Sequence, residues 1–475
     1  MPQDPRGIAV TTSTEAALAP LEGAVQALLG HRAELPALLA RCFMADADLV
    51  AAHALAGFGA LVQARAELRP VAAEHLAAAR RSLHQRGGTG RERQLVRALS
   101  AWQEHGRMEE AAARLDAITE VEPLDALSLK LSHSIRFMLG DAAGMLQGVA
   151  DAAPAWTETT QGAIPGTGHI LGMHAFALEE NDDIRAAEEA GRRGVALEPR
   201  DVWGWHAVAH VMESQGRARE GLNWIGALEP QIEATGSFGR HLLWHSALFH
   251  LHLGDTDAAL ALYDARIHDR PAEDVRDFAN AASLLWRLEA QGVPVGQARW
   301  AMLADVAARR VHDEGLVFID LHHLLALGAA GRELEMADKL VAMRRRAMES
   351  LDSQAEVAAR AGLPAGWAIT RGFGKDPAGA VDLWRGAREY LPGLGGSLAQ
   401  RDLFDRMAID AAIASGRIAL AVEMLRDRAA TRSFGAWEGR CRDRLDRMAR
   451  VSARRATPSA RPDLSLVGLG RLGVA

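Results

Sequence analysis

The chain has 475 residues, 49% of them hydrophobic and 24% charged, with a formal net charge of −7. This is the composition of a folded chain long enough for one large core or a repeat array, and the acidic balance argues against nucleic acid as a partner. Cys42 and Cys441 stand far apart with no CxxC pair, and no Asn-x-Ser/Thr sequon occurs, so a reducing, cytoplasmic compartment is expected. The start, MPQDPRGIAV, lacks the basic and apolar regions of a secretory signal. No apolar run is long enough for a transmembrane helix, so no membrane partner is expected.

Abundant alanine, leucine and arginine, with only two tyrosines, favour helices over strands. From Glu15 to Arg81 apolar residues recur at helical spacing, and Pro36 and Pro70 divide them into three or four helices. Residues 84–90, HQRGGTG, read as a loop. An internal period follows. Ala111, Leu115, Ile118 and Pro123 have the spacing of a tetratricopeptide unit, and Ala187, Gly191, Gly194 and Pro199 repeat it. Gly140-Asp141 and Gly254-Asp255 mark the turn between two helices of a unit. In register, units start at 92, 126, 168, 202 and 240, and two of the intervals are the tetratricopeptide length of 34. The wider gap before 168 holds Pro154 and Pro165 and reads as a loop insertion.

Degenerate helical pairs continue over 275–310, 315–348, 353–390 and 398–428, and residues 453–475 read as a loose tail. The expected fold is all-α, an α-α superhelix (solenoid) of degenerate tetratricopeptide-like hairpins. Its parts are an N-terminal helical cap over 1–90, a repeat solenoid over 91–430, and a C-terminal helix and tail over 431–475.

The stretch Trp203 to Gly216 carries the chemistry. His206, His210 and Glu213 fall at i, i+4 and i+7, on one helical face. The repeat register assigns Trp205 and Ala209 to packing and turns the other three towards a concave groove. His241 and His245 fall on the next inner helix, which packs about 8–10 Å away. Imidazoles from both helices can therefore converge. His322 holds the same register position as His206, with Asp320 two residues before it, and His174 lies on the helix from 168.

Three readings follow. In the first, the groove holds a small polar ligand or an extended peptide, with Trp203, Trp244 and His174 on its walls. In the second, a metal-dependent or acid–base enzyme uses His206, His210, His241 and His245 as ligands for a divalent metal such as zinc. His206, His210, Glu213, Asp320 and His322 then form its catalytic set, with Glu213 or Asp320 as base. In the third, the histidines only pack against tryptophans. One mononuclear site cannot use both His206 and His245 if their rings lie more than about 8 Å apart.

HExxH, GxxxxGK[ST] and GxSxG are absent. Gly468 to Gly473 matches GxGxxG but ends the chain, with no strand before it, so no dinucleotide site is expected. Glu179 and Glu180 close the helix from 168; one of them could reach the groove, but a solvated helix end is the favoured reading, and His250 and His252 read as facing solvent.

Several stretches together resemble the tetratricopeptide repeat protein 38 family. They are GMHAFALEE at 172–180, WHAVAHVMESQGRAREGLNW at 205–224, HLLWHSALFHLHLGDTDAALALYD at 241–264, FIDLHHLLAL at 318–327 and GGSLAQRDLF at 395–404. The resemblance runs from about residue 8 to about residue 430. It implies a soluble α-α superhelix, with histidines at His206, His210, His241, His245 and His322 and acids at Glu213 and Asp320. The animal pattern differs at His174 and His323. The family brings no established reaction, so the resemblance speaks to fold more than to function.

Overall fold

The computed structural model describes residues 1–156, 163–269 and 273–455. Within them the chain is helical, with no β-strand and a single isolated bridge, Gln3 to Ala9. Part of the expected insertion before 168, and the GxGxxG run with the tail from residue 456, lie outside the described residues.

The N-terminal part folds as α1 (Leu18–Leu29), α2 (Leu35–Ala45), α3 (Val50–Leu61) and α4 (Arg69–Arg86), the upper of the two expected counts. The expected loop from His84 shrinks, because α4 runs on to Arg86 before Gly87 turns it. Helical pairs follow: α5 (Gly90–His105) with α6 (Met108–Thr119), α7 (Ala126–Leu139) with α8 (Ala142–Ala152), and α9 (Thr167–Glu180) with α10 (Ile184–Leu197). Next come α11 (Val202–Ser214) with α12 (Ala218–Ile232), α13 (Ser237–Leu253) with α14 (Thr256–Leu262), α15 (Val275–Ala290) with α16 (Gln297–Arg309), and α17 (Val317–Ala329) with α18 (Glu333–Glu349). The chain ends with α19 (Ser353–Val357), α20 (Leu363–Phe373), α21 (Pro377–Ala387), α22 (Leu398–Ala414), α23 (Ile418–Ala429) and α24 (Ala436–Arg455). No described helix is long and apolar enough to cross a membrane.

The turns follow from their sequences. Gly140 and Gly254 end α7 and α13 at φ 69° and 82°, a left-handed conformation that a side chain disfavours. The aspartate after each glycine then caps the next helix, Asp141 accepting from the Gly144 N–H and Asp255 from the Ala258 N–H. A side chain at Gly140 would also overlap the Pro392 carbonyl, so the glycine serves both turn and packing.

The first helices of successive units pack on one another, α9 on α11, α11 on α13, α13 on α15 and α15 on α17. Segments distant in sequence then cover these helices. α22 packs on α15, and α24 on α13. Glu180 accepts from the Leu398 N–H at 2.7 Å, Arg287 donates to the Ala399 carbonyl at 2.9 Å, and Arg432 donates to Ser214 at 3.2 Å. A second seam joins the N-terminal helices to the later pairs, where Arg310 pairs with Glu67 at 3.1 Å and Ser353 donates from its N–H to the Gly106 carbonyl.

Candidate metal centre

Asp201 begins α11, accepting from the Gly204 N–H at 3.0 Å and from His169 Nδ1 at 2.9 Å. This start fixes the rotation of α11. His206 and His210 then point at α13, which presents His241 and His245 from the same two consecutive turns. The ring centroids of His206 and His245 lie 5.0 Å apart, well inside the 8 Å limit. All four imidazoles are buried, none more than 3% exposed.

Their Nε2 atoms meet in a chain. His210 Nε2 lies 3.0 Å from His206 Nε2, which lies 2.9 Å from His241 Nε2, which lies 3.3 Å from His245 Nε2. A ring nitrogen has one in-plane position, holding either a proton or a lone pair. Four such atoms in three contacts can make at most two hydrogen bonds. At least one contact therefore brings two nitrogens to hydrogen-bond distance with no hydrogen bond between them. A cation at the centre would instead use all four at once, by accepting their lone pairs. A tetrahedral ion with bonds of about 2.0–2.1 Å sets its nitrogens about 3.3 Å apart, close to the spacings here.

The outward ring atoms test this fit. A ligating imidazole carries its proton on Nδ1 and donates it to an acceptor. His210 Nδ1 donates to Glu179 Oε2 at 3.2 Å, and His245 Nδ1 donates to Glu213 Oε2 at 3.0 Å. Glu179 is itself held by Ser214 Oγ at 2.8 Å. His241 Nδ1 faces Asn280 Nδ2 at 3.0 Å, and His206 Nδ1 has no hydrogen-bond partner among the described residues. Half of the outer shell is therefore in place.

Burial holds His206 and His241 well below the ordinary imidazole value, and neighbouring imidazoles push in the same direction. His245 falls to about 4, mainly through burial, with Glu213 opposing. His210 is raised, because Glu179 outweighs the effect of burial. Burial raises Glu213, yet the His245 hydrogen bond brings it down to about 2. His206, His241 and His245 are thus held neutral, as ligands must be, while His210 would have to give up to the ion the Nε2 proton that its carboxylate neighbour Glu179 favours.

Two of the three expected wall residues, Trp203 and Trp244, pack on the quartet. Trp203 lies 5.1 Å from His206, and Trp244 stacks on His241 at 5.4 Å. Trp205 packs instead on Trp224 of α12, at 4.2 Å, as the register requires. The rest of the expected set does not join the quartet. Asp320 is bound to Lys339 Nζ at 2.7 Å, and His322 Nδ1 donates to the Phe318 carbonyl at 2.8 Å. His174 sits half-buried on α9 and is not part of the cluster. Glu213 meets His245 through Nδ1, on the side away from the shared Nε2 atoms, so it is an outer partner there.

Glu179 and Glu180 are not a solvated helix end. They are 0% and 8% exposed, because α11 and the segment before α22 cover them. His250, half-buried, pairs with Asp255 at 3.1 Å. His252, also half-buried, lies against Gly435. Asn280, Lys130 and His31 were not singled out by the sequence pattern, since each approaches from a different element.

The fold and this site define an all-helical protein of paired helices around a buried four-histidine centre. No protein-family model matches the chain.

Proposed function

We propose that the protein is a helical-repeat metalloprotein in which His206, His210, His241 and His245 hold one divalent ion of the zinc class through Nε2. The observation that carries this reading is the chain of three Nε2 contacts at 2.9–3.3 Å, of which protons can turn at most two into hydrogen bonds. Four imidazoles complete a tetrahedral shell and leave no position for water or substrate. The ion therefore clamps α11 to α13 and does not activate a nucleophile. Glu179 and Glu213 orient two of the ligands.

The reading of a groove that grips a peptide or small polar ligand through these histidines has less support, since the rings are buried. We assign the scaffold to a degenerate tetratricopeptide-type superhelix related to the tetratricopeptide repeat protein 38 family. The support is the agreement of helix starts with the repeat register, at Gly90, Ala126, Thr167, Val202 and Ser237. Both cysteines are buried and unpaired, which fits a reducing, cytoplasmic setting.

The test is elemental analysis of untagged protein after dialysis against metal-free buffer. About one tightly held ion per chain is expected, and the paired change His206→Ala with His245→Ala should lose it. Cobalt replacing the native ion should give the intense visible bands of tetrahedral geometry. Substoichiometric metal that dialyses away from folded protein overturns the proposal.

A further inference from the structure

The chain carries 54 basic residues, and only three of them are lysines: Lys130, Lys339 and Lys375. Two of the three are buried, Lys130 at 2% exposure and Lys339 at 0%. Lys339 is accounted for by its ion pair with Asp320 at 2.7 Å and its hydrogen bond to the Arg310 carbonyl at 2.9 Å. Lys130, on α7, has no carboxylate partner among the described residues. Its Nζ lies 2.9 Å from His31 Nε2 and 4.2 Å above the ring of Trp203. The nearby Asp201 carboxylate is already engaged by His169 and the Gly204 N–H.

His31 is placed with care. It is not glycine, yet its φ is +51°, and its ring is stacked against Trp203 at 5.0 Å and Phe238 at 4.4 Å, which also pack on each other at 5.5 Å. Strained backbone of this kind concentrates at working sites. His31 is only half-buried, so this aromatic box reaches the surface at the turn between α1 and α2. One turn along α7 from Lys130, His133 is 2% exposed, and neither of its ring nitrogens has a hydrogen-bond partner among the described residues. Nor has the Trp203 Nε1 donor, against whose ring His133 stands edge-on at 6.1 Å. Buried polar atoms without partners are costly, and several beside one amine point to a small polar ligand.

We propose that Lys130 is a nucleophilic amine that forms an imine with a short α-keto acid. Nζ bonds to the keto carbon and gives a proton to His31 Nε2. His31 returns that proton to the keto oxygen, which completes the carbinolamine; it then takes the second Nζ hydrogen and delivers it to the hydroxyl, which leaves as water as the C=N bond forms. No oxidant or reductant enters. The donors of His133 and Trp203 suit the carboxylate oxygens. The inference does not rest on the metal reading, since none of its groups is a ligand of the quartet.

The charge state agrees. Burial lowers the ammonium of Lys130 to about 7, with Asp201 opposing and Arg276 adding to the shift. Burial and Lys130 together hold His31 and His133 well below the ordinary imidazole value, so both are neutral. Of the other imidazoles near His31, His169 is bound to Asp201 and His241 belongs to the quartet.

The chain contains its own controls. Folded protein is treated with pyruvate and sodium cyanoborohydride, and the peptides are mapped by mass. At pH 7 Lys130 should gain one reduced pyruvyl group at least about tenfold faster than the exposed Lys375, because far more of it is the free amine. Lys339 should stay unlabelled. The Lys130 rate should be half-maximal near pH 7, while that of Lys375 keeps rising into alkaline solution. His31→Phe keeps the aromatic stack and should slow labelling of Lys130 by about a hundredfold, with helicity and thermal unfolding unchanged. Labelling of Lys375 with Lys130 untouched, or equal rates at both, overturns the proposal. Unchanged labelling in His31→Phe overturns the role of His31.

Discussion

Two regions place histidine at the same repeat position and put it to different uses. His206, fifth in its helical unit, meets three other imidazoles in a chain of Nε2 contacts too close-set for protons to make every one a hydrogen bond. His322, fifth in the unit of α17, donates to a backbone carbonyl one turn before it and packs on Phe318 and Phe404. Beside it, Asp320 and Lys339 neutralise each other. The inward position is common to both regions, and the facing helix decides the role. Where α13 offers two more imidazoles, ligand chemistry becomes available. Where α18 offers a lysine, the result is a closed structural pair.

Acid is the strongest way to break this comparison. His31, His133, His206, His241 and His323 are all held well below the ordinary value, chiefly by burial. Each is neutral when folded and takes up a proton when unfolded below about pH 6.5. The unfolded state then binds more protons, so stability falls as pH falls through that value. Each depressed histidine removes about 1 kcal/mol between pH 6.5 and 5.5, together about 5 kcal/mol. His210, raised, and Asp277, raised to about 6 mainly by burial, act in the opposite direction and offset part of this. Since whole domains are stable by about 5–15 kcal/mol, urea midpoints should collapse between pH 7 and pH 5.5. A flat profile would mean that these imidazoles are solvated.

The two buried lysines separate the regions further. Lys339→Met leaves the Asp320 carboxylate buried without its partner and should cost about 3–5 kcal/mol in urea unfolding. Adding Asp320→Leu should recover most of that loss, since an apolar pair can replace a buried ion pair. Lys130→Met strands no carboxylate and should change stability by about 1 kcal/mol or less, in either direction. Equal losses at the two positions would erase the distinction between a paired lysine and a free amine.

Much of this was legible in the sequence, and for identifiable reasons. Helix starts follow from Gly-Asp turns and a repeating phase, which are local. The quartet was legible because its members lie in two i, i+4 pairs on consecutive first helices, so the register alone aims them at each other. Glu179 looked like a solvated end because its cover, α11 with Ser214, is set by how two units stack. Asn280 comes from a third unit, and His31 from a turn in the N-terminal part, so neither has a sequence neighbour that betrays it. The groove expectation missed the covering of the first helices by α22 and α24, which rests on pairs such as Arg287 with the Ala399 carbonyl, 112 residues apart.

A change of about tenfold in affinity probes the incomplete half of the metal shell. The Ser397 N–H donates to Gln400 Oε1 at 3.0 Å, which fixes that amide so that Nε2 donates to Asn280 Oδ1 at 3.3 Å. Asn280 must then offer its NH2 to His241 Nδ1, which favours the proton on His241 Nε2, where the ion would bind. Metal binding therefore requires the Asn280 side chain to flip and give up its bond to Gln400. Asn280→Asp presents an acceptor to His241 Nδ1 whichever way it turns. It should favour the ligating tautomer and tighten metal binding by about tenfold, the lower end of outer-partner effects. Glu213→Gln, which weakens the acceptor for His245 Nδ1, should loosen binding by a similar factor. Competition against a chelator of known affinity measures both. Opposite shifts at Asn280 and Glu213 tie these outer residues to the ion, while parallel losses in both variants would reduce them to packing.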